Sequence, residues 1–271
     1  MKNQILWDCH MHSSFSADSE TPMEDMIQAA ISRNLSGICF TEHFDPDYPA
    51  DPDGLTFDLD IPAYYARLHH LTEKYSQDLQ IHFGIEIGLQ PHLARQFQQL
   101  LEDHPFDFVI GSVHSVLEHD VALDFFQKHS DPEGYKIYFE EMLQDVQKIK
   151  SYDVLGHLDY IVRYSNQGSK GFDLNDYMDI IEEILKQVIA HGKGIEMNMS
   201  GLKYGLGAPH PQPEIIKRYR ELGGEIITVG ADGHIPEHIA YDYHLADDIL
   251  KSCGFKYYTE FKGRKPLFVK I

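Results

Sequence analysis

Short β-rich runs and longer amphipathic stretches alternate seven times along this chain, and that alternation constrains its fold more than any other feature. The strand-like runs are Ile5-Leu6-Trp7, Gly37-Ile38-Cys39-Phe40, Ile81-His82-Phe83-Gly84-Ile85, Phe108-Val109-Ile110, Val154-Leu155, Gly194-Ile195-Glu196-Met197 and Ile226-Ile227-Thr228-Val229. Helix patterns fall between and after them at 22–34, 61–77, 91–103, 133–149, 174–191, 212–222 and 238–252. The first opens with Thr21-Pro22-Met23-Glu24, which predicts a capping hydroxyl on Thr21. No Pro/Gly/Ser linker interrupts the series, so residues 1–271 are expected to form one α/β domain. The fold class that follows is a distorted, seven-stranded (β/α)7 TIM-like barrel, one unit short of the usual eight. The stretches Asp45–Asp60 and Ser115–Pro132 exceed ordinary βα loops and predict lids, and Lys256–Ile271 predicts a strand pair outside the repeat.

Composition excludes several classes of partner. With 43 acidic against 23 basic residues the net charge is −20, and no cluster of Lys or Arg is present to grip nucleic acid or an anionic membrane. No segment approaches the roughly 18 apolar residues of a membrane span, and the first residues lack a signal-like apolar stretch, so a cytoplasmic location is expected. Cys9, Cys39 and Cys253 are odd in number and lack CxxC spacing, which predicts reduced thiols.

Seventeen histidines are the compositional anomaly, and their positions matter more than their number. His10, His12 and Asp18 follow the first strand run, His43 the second, Glu86 ends the third, His114 the fourth and His157 the fifth; Asp232 and His234 follow the seventh. In a (β/α) barrel those strand ends converge on the face where active sites are built. A single histidine is more often a surface or core residue, and the other eleven fit that description, for example His69 on a helix and His129 in a loop. Ligand types at the ends of six strands out of seven are not scatter, and they predict a metal centre. His10-x-His12 places two imidazoles on one side of an extended chain, and Asp232-x-His234 repeats that geometry. Nine ligands exceed the needs of one ion with an open position, so two or three divalent transition metals are expected: manganese, iron or zinc. Three such ions against the charges of Asp18, Glu86 and Asp232 leave about +3, a match for a small phosphate monoester.

Further polar residues near the strand ends are candidates for substrate contact. Arg163, six residues past His157, can reach a phosphate oxygen, the alternative being a surface salt bridge. Asn198 and Lys203 follow the sixth run, which carries no ligand, and can bind the phosphate or the organic group, the alternative, slightly favoured, being a loop cap and a solvated lysine. Asp8 shares the parity of His10 and His12 and can orient an imidazole; Glu42 and Asp159 flank ligands and either orient imidazoles or face the sheet exterior, while Cys9 alternates away into barrel packing.

These residues resemble the motifs of the polymerase and histidinol phosphatase (PHP) family of metal-dependent phosphoesterases. Asp8-x-His10-x-His12, Thr41-Glu42-His43, Ser112-Val113-His114 with Gly156-His157-x-Asp159, and Asp232-x-His234 occur in the family's order, with Gly84-Ile85-Glu86-Ile87-Gly88 between the second and third. The resemblance implies a PHP-type barrel with a trinuclear centre: His10, His12, Glu86 and Asp232 on one ion; Glu86, His114 and His157 on a second; Asp18, His43 and His234 on the third. The segment Glu196-x-Asn198-x-Ser200-Gly201-Leu202 is similar to that of stand-alone family members of the histidine pathway. It implies hydrolysis of L-histidinol phosphate to L-histidinol and phosphate, with Asp232 or His234 as proton donor to the leaving oxygen. The chain departs from the family at Ala231-Asp232-Gly233-His234, usually Ser-Asp-Ala-His, and at Lys203, where many relatives carry arginine. Two other activities fit the same ligands: a phosphoesterase for another small phosphate or nucleotide, and a non-catalytic regulatory metal barrel. The charge of −20 stands against nucleotide ends, and three open-site metals stand against a binding module.

Overall fold

The computed structural model describes residues 5–49 and 54–271. Seven parallel strands follow one another in chain order: β1 (Trp7–Met11), β2 (Gly37–Phe40), β3 (Gln80–Gly88), β4 (Phe108–Ser112), β5 (Val154–Leu155), β6 (Gly194–Asn198) and β7 (Ile227–Gly230). Both faces of the strands are covered, so they read as near-continuous apolar runs rather than alternating ones. The sheet closes on itself at the C-terminal mouth, where Asp232 N–H donates to His10 O at 2.8 Å and His12 N–H to Gly233 O at 2.9 Å.

Helices α1 (Met23–Ser32), α2 (Ile61–Lys74), α3 (Ala94–Asp103), α4 (Asp131–Lys148), α5 (Met178–Ala190), α6 (Pro213–Glu221) and α7 (Tyr243–Ser252) form the outer layer. Each presents an apolar stripe; α5 buries Ile181, Ile184, Leu185 and Val188 at helical spacing. The antiparallel pair β8 (Tyr257–Lys262) and β9 (Lys265–Lys270) plugs the opposite end of the barrel. There Phe261 stacks on Phe108 and its carbonyl receives His82 Nδ1, at 2.7 Å.

Several local expectations shift. Strand β1 runs on through His10 to Met11, and β3 continues past Glu86 to Gly88, because pairing with neighbouring strands at the mouth holds polar residues in the sheet. Thr21 does not cap α1: its hydroxyl donates to His234 O at 2.8 Å, joined there by Ser19 Oγ at 2.9 Å. The seventh helix starts at Tyr243 rather than 238, since Ala240 and Asp242 take positive φ of 48° and 51° and interrupt it. Of the two expected lids, residues 50–53 lie outside the described residues. The described parts meet over the mouth, where the Tyr48 hydroxyl donates to Asp120. The three cysteines are free and buried. No described helix is long and apolar enough to cross a membrane.

Candidate metal centre

Glu86 sits fully buried near the end of β3, and imidazoles from four other segments converge on its two oxygens. Oε2 lies 3.0 Å from His10 Nε2, 3.4 Å from His12 Nε2 and 3.2 Å from His43 Nδ1. Oε1 lies 3.0 Å from His157 Nε2 and 3.3 Å from His114 Nε2, and accepts the Ser112 hydroxyl at 2.6 Å. Asp232 Oδ1 approaches His12 and His10 at 3.5 and 3.8 Å, and His10 Nε2 faces His12 Nε2 at 3.1 Å. Nearer the surface Asp18 Oδ2 lies 3.0 Å from His234 Nε2 and 3.5 Å from His43 Nε2. All nine expected ligand side chains therefore meet in one patch at the barrel mouth, as strand-end parity predicts.

The donor set fits divalent metal. Ligand atoms held about 2.0–2.2 Å from a tetrahedral ion lie roughly 3.3 Å apart, and these atoms are separated by 3.0–3.8 Å. Three groups are close enough to share an ion: His10, His12 and Glu86; His43, Glu86 and His114; and His12, His43 and His234. His43 belongs to two of them, one through each ring nitrogen, so it stands at the junction between inner and outer positions. Asp232 takes a positive φ of 52°, a left-handed conformation stored at the mouth that turns its carboxylate toward His12.

Electrostatics account for how such a cluster survives burial. Burial opposes charge on every member, yet Glu196, Glu86 and Asp232 hold His10 well above the ordinary imidazole range. Asp45 and Glu86 do the same for His114, and Asp18 and Glu86 raise His43 to about 9. Glu86 and Asp232 are in turn held well below the carboxylate range by the imidazoles. His12 goes the other way, lowered by burial and by His43 and His234, and its ring packs near-parallel to each of theirs, with centroids 4.1 and 4.3 Å away. A cation entering the cluster would compete with protons for these nitrogens.

The supporting contacts are where the sequence reading falls short. Glu196 Oε1 accepts from His10 Nδ1 at 2.6 Å, and Asp45 Oδ1 from His114 Nδ1 at 2.7 Å. The Ser16 hydroxyl donates to Glu42 at 2.6 Å and receives His12 Nδ1 at 3.1 Å, so Glu42 acts on His12 through a serine. Asp8 orients no imidazole; it accepts the amides of His10, Ala231 and Ala240 and pins the strands together. Asp159 holds His210 Nδ1 at 2.5 Å rather than an expected ligand. Two glycines make room for these partners: a Cβ on Gly88 would stand 2.0 Å from Asp45 Oδ1, and one on Gly230 would stand 2.5 Å from Glu196 Oε1.

Of the three substrate candidates, Arg163 alone lines a cavity, of about 260 Å³, together with Glu86, His157, Asp232 and His234. Its guanidinium lies over the Tyr204 ring, 3.1 Å from the centroid, and among the described residues it forms no ion pair. Asn198 is buried beneath the ligands, where its amide nitrogen donates to Glu196 at 3.1 Å and its Oδ1 accepts Ser200 N–H. Lys203 Nζ donates to the main-chain oxygen of Asp232 at 2.9 Å. Both residues therefore touch the ligand shell from outside the cavity.

Comparison with known proteins gives one consistent family. The PHP domain matches residues 8–200. A histidinol-phosphatase of Lactococcus lactis subsp. lactis is 32% identical over 260 residues, covering 95% of each chain. The crystal structure of the histidinol phosphate phosphatase from that organism, complexed with zinc, L-histidinol and phosphate, superposes with a TM-score of 0.88 at 30% identity, covering 97% of this chain and 99% of that one. A chain from Listeria monocytogenes shares the fold at TM-score 0.75 and 20% identity, covering 88% of this chain and 98% of its own.

Proposed function

This chain belongs to the PHP domain family, and from that membership we propose that it is a metal-dependent phosphomonoesterase that hydrolyses L-histidinol phosphate to L-histidinol and phosphate. The observation that carries the reading is the pairing, on one cavity, of nine convergent His, Asp and Glu side chains, buried at Glu86 and reaching the surface at Asp18 and His234, with an arginine that forms no ion pair among the described residues. The L. lactis enzyme, whose structure holds zinc, L-histidinol and phosphate, supports the choice of substrate.

Three ligand groups are assigned: His10, His12, Glu86 and Asp232; Glu86, His114 and His157; and Asp18, His43 and His234, the last set drawing on the outer nitrogen of His43. Zinc, manganese or ferrous iron bound there would offset the charge of the phosphate and lower the pKa of water to about 7. The chain's own residues do the rest. Arg163, kept in place by Tyr204 and Tyr164, binds a phosphate oxygen. Asn198 and Lys203 act indirectly, by fixing Glu196 and the Asp232 backbone. Asp232 is held ionised by its imidazole neighbours and so is no acid; His234 turns Nε2 to Asp18 as its ligand atom, which leaves its Nδ1–H, at the rim, as the proton donor to the leaving alkoxide. The barrel works on a small ester and needs no nucleic acid or membrane.

The test is phosphate release from a panel of monoesters by protein reconstituted with zinc, manganese or iron, with metal content measured. L-Histidinol phosphate is expected to be the best substrate and chelation to abolish turnover. Full metal loading without hydrolysis of that ester would instead favour a non-catalytic metal barrel.

A further inference from the structure

Arg163 rises from a stretch of chain with little regular structure. Between Leu155 at the end of β5 and Met178 at the start of α5 there is no strand and no α-helix, only 3-10 turns at Tyr160–Arg163, Gly168–Gly171 and Leu174–Asp176. Such turns hold themselves weakly. In the first, Val162 N–H reaches Asp159 O at 3.0 Å and Tyr164 N–H reaches Ile161 O at 3.1 Å. The Arg163 guanidinium lies over the Tyr204 ring, but a ring face sets only the plane of the group. Where it stands along the cavity is set by the backbone beneath it, so a phosphate meets it in one place only if that turn is fixed from outside.

Two buried carboxylates do this, one on each side of Arg163. On the near side Asp159 accepts His210 Nδ1 and, at 2.9 Å, the Gln212 amide. On the far side stands Asp131, the first residue of α4. Its Oδ1 accepts the Asn166 backbone N–H at 3.0 Å and the Asn166 side-chain amide at 2.8 Å, and its Oδ2 accepts Gln167 N–H at 3.0 Å. The Ser165 hydroxyl carries the brace back to the turn through Val162 O, at 3.3 Å. Asp131 is 3% exposed and forms no ion pair among the described residues, so these three donors are what compensate its burial. Its own backbone is fixed, because α4 is anchored in the core through Tyr135, Tyr138, Phe139 and Met142. Asp131 lines no part of the cavity that Arg163 faces, and it meets no ligand side chain.

We propose that Asp131 is a positioning residue for phosphate binding: it ties the Asn166–Gln167 backbone to α4 and thereby holds the turn that carries Arg163. This rests on the reading of Arg163 as the group that binds phosphate, and it adds what keeps that group in place. Asparagine at 131 has the same size but turns one edge of the side chain into an NH₂, which must face either Gln167 N–H or the two Asn166 donors. One side of the brace is then lost.

The experiment is a double-mutant cycle on metal-loaded protein: wild type, Asp131→Asn, Arg163→Ala and the two together. Steady-state kinetics on L-histidinol phosphate gives KM and kcat, and isothermal titration with inorganic phosphate gives a readout independent of turnover. Asp131→Asn is expected to raise KM and the phosphate Kd alike, by roughly 3- to 10-fold, with a smaller change in kcat. In the Arg163→Ala background the same substitution is expected to change either constant less than twofold. A purely structural role would lower the unfolding temperature in both backgrounds and move neither constant. Should Asp131→Asn fail to fold, Asn166→Gly, which removes one donor and keeps the carboxylate, takes its place in the cycle, with an expected rise of roughly 3-fold. An unchanged KM and Kd in the folded single variant, or an equal rise in both backgrounds, overturns the assignment. Arg163→Ala without effect on phosphate binding removes Arg163 from the phosphate site, and this inference falls with it. Phosphate binding without turnover in wild type counts against the proposed hydrolysis alone, and the titrations still decide the role of Asp131.

Discussion

Substituting Glu196 by glutamine removes one charge and no bulk, and the structure specifies what that costs. The carboxylate is fully buried, and every group it meets is a donor: His10 Nδ1 at 2.6 Å on Oε1, and His157 N–H and Asn198 Nδ2 at 3.1 Å each on Oε2. A glutamine can satisfy only one side. If its oxygen faces His10, its NH₂ confronts two donors; if its NH₂ faces His10, the ring must carry its proton on Nε2, the nitrogen that points at Glu86 and His12. Either arrangement loses a charged hydrogen bond, about 1.5–3 kcal/mol, or roughly 10- to 150-fold at 1.4 kcal/mol per decade. That loss should appear in metal affinity, since a partner that fixes the tautomer of a ligand imidazole is worth about 10–100-fold. The measurement is zinc and manganese binding to wild type and Glu196→Gln against a competing chelator, with thermal unfolding as a check on integrity. The affinity at the position served by His10 should fall 10- to 100-fold while stoichiometry at saturating metal is kept. An affinity within twofold of wild type in a folded variant would refute the argument and make Glu196 a packing residue.

His10→Ala and Glu86→Ala should each lower kcat by several orders of magnitude, whereas His69→Ala, on an exposed face of α2, should change it less than twofold; comparable losses at both would mean the ligand register is wrong. Arg163→Ala should raise KM for the phosphate ester about 30-fold, about 2 kcal/mol, with folding intact by circular dichroism; an unchanged KM would remove Arg163 from the phosphate site. Gly88→Ala puts a methyl 2.0 Å from Asp45 Oδ1 and should dislodge the carboxylate that holds His114, costing roughly 10–100-fold in kcat/KM, which steady-state kinetics would read. Burial, and secondarily Glu141, raises the pKa of Asp145 in the folded protein, so the unfolded chain releases that proton first and stability falls as pH rises above about 4. Asp145→Asn should therefore stabilise the protein by about 1–2 kcal/mol in urea unfolding at pH 7, with the gain shrinking toward pH 4.

The barrel is legible because its two periodicities are local. Amphipathic spacing marked all seven outer helices, and apolar runs marked all seven strands. The misjudged boundaries share a cause. Met11, Gly88 and Ser112 remain in strands because Met11 bridges to Gly233, and because Gly88 pairs with Ser112, contacts between segments that no local window contains. Thr21 has the local signature of a cap but finds a stronger claim in the His234 carbonyl, so tertiary demand overrode local chemistry there.

The same distinction separates the ligands from the residues that hold them. The nine candidate ligands could be placed together from the sequence because a chelating group is sought at a strand end, and strand ends can be counted. Asp45 and Glu196 left weaker marks. Asp45 is two residues past His43, sharing its strand parity, and Glu196 is a lone acid in the otherwise apolar run Gly194–Met197. Neither mark names a partner, because the partner is set by barrel closure: β6 lies beside β7, β7 beside β1, and the gap at Gly230 lets Glu196 reach across to His10. A glycine where an adjacent segment needs room is thus the sequence trace of a contact that no local window contains. Gly88 and Gly230 are the two positions where that trace could have been read in advance, since each stands beside a ligand strand end and each admits a carboxylate that a Cβ would exclude.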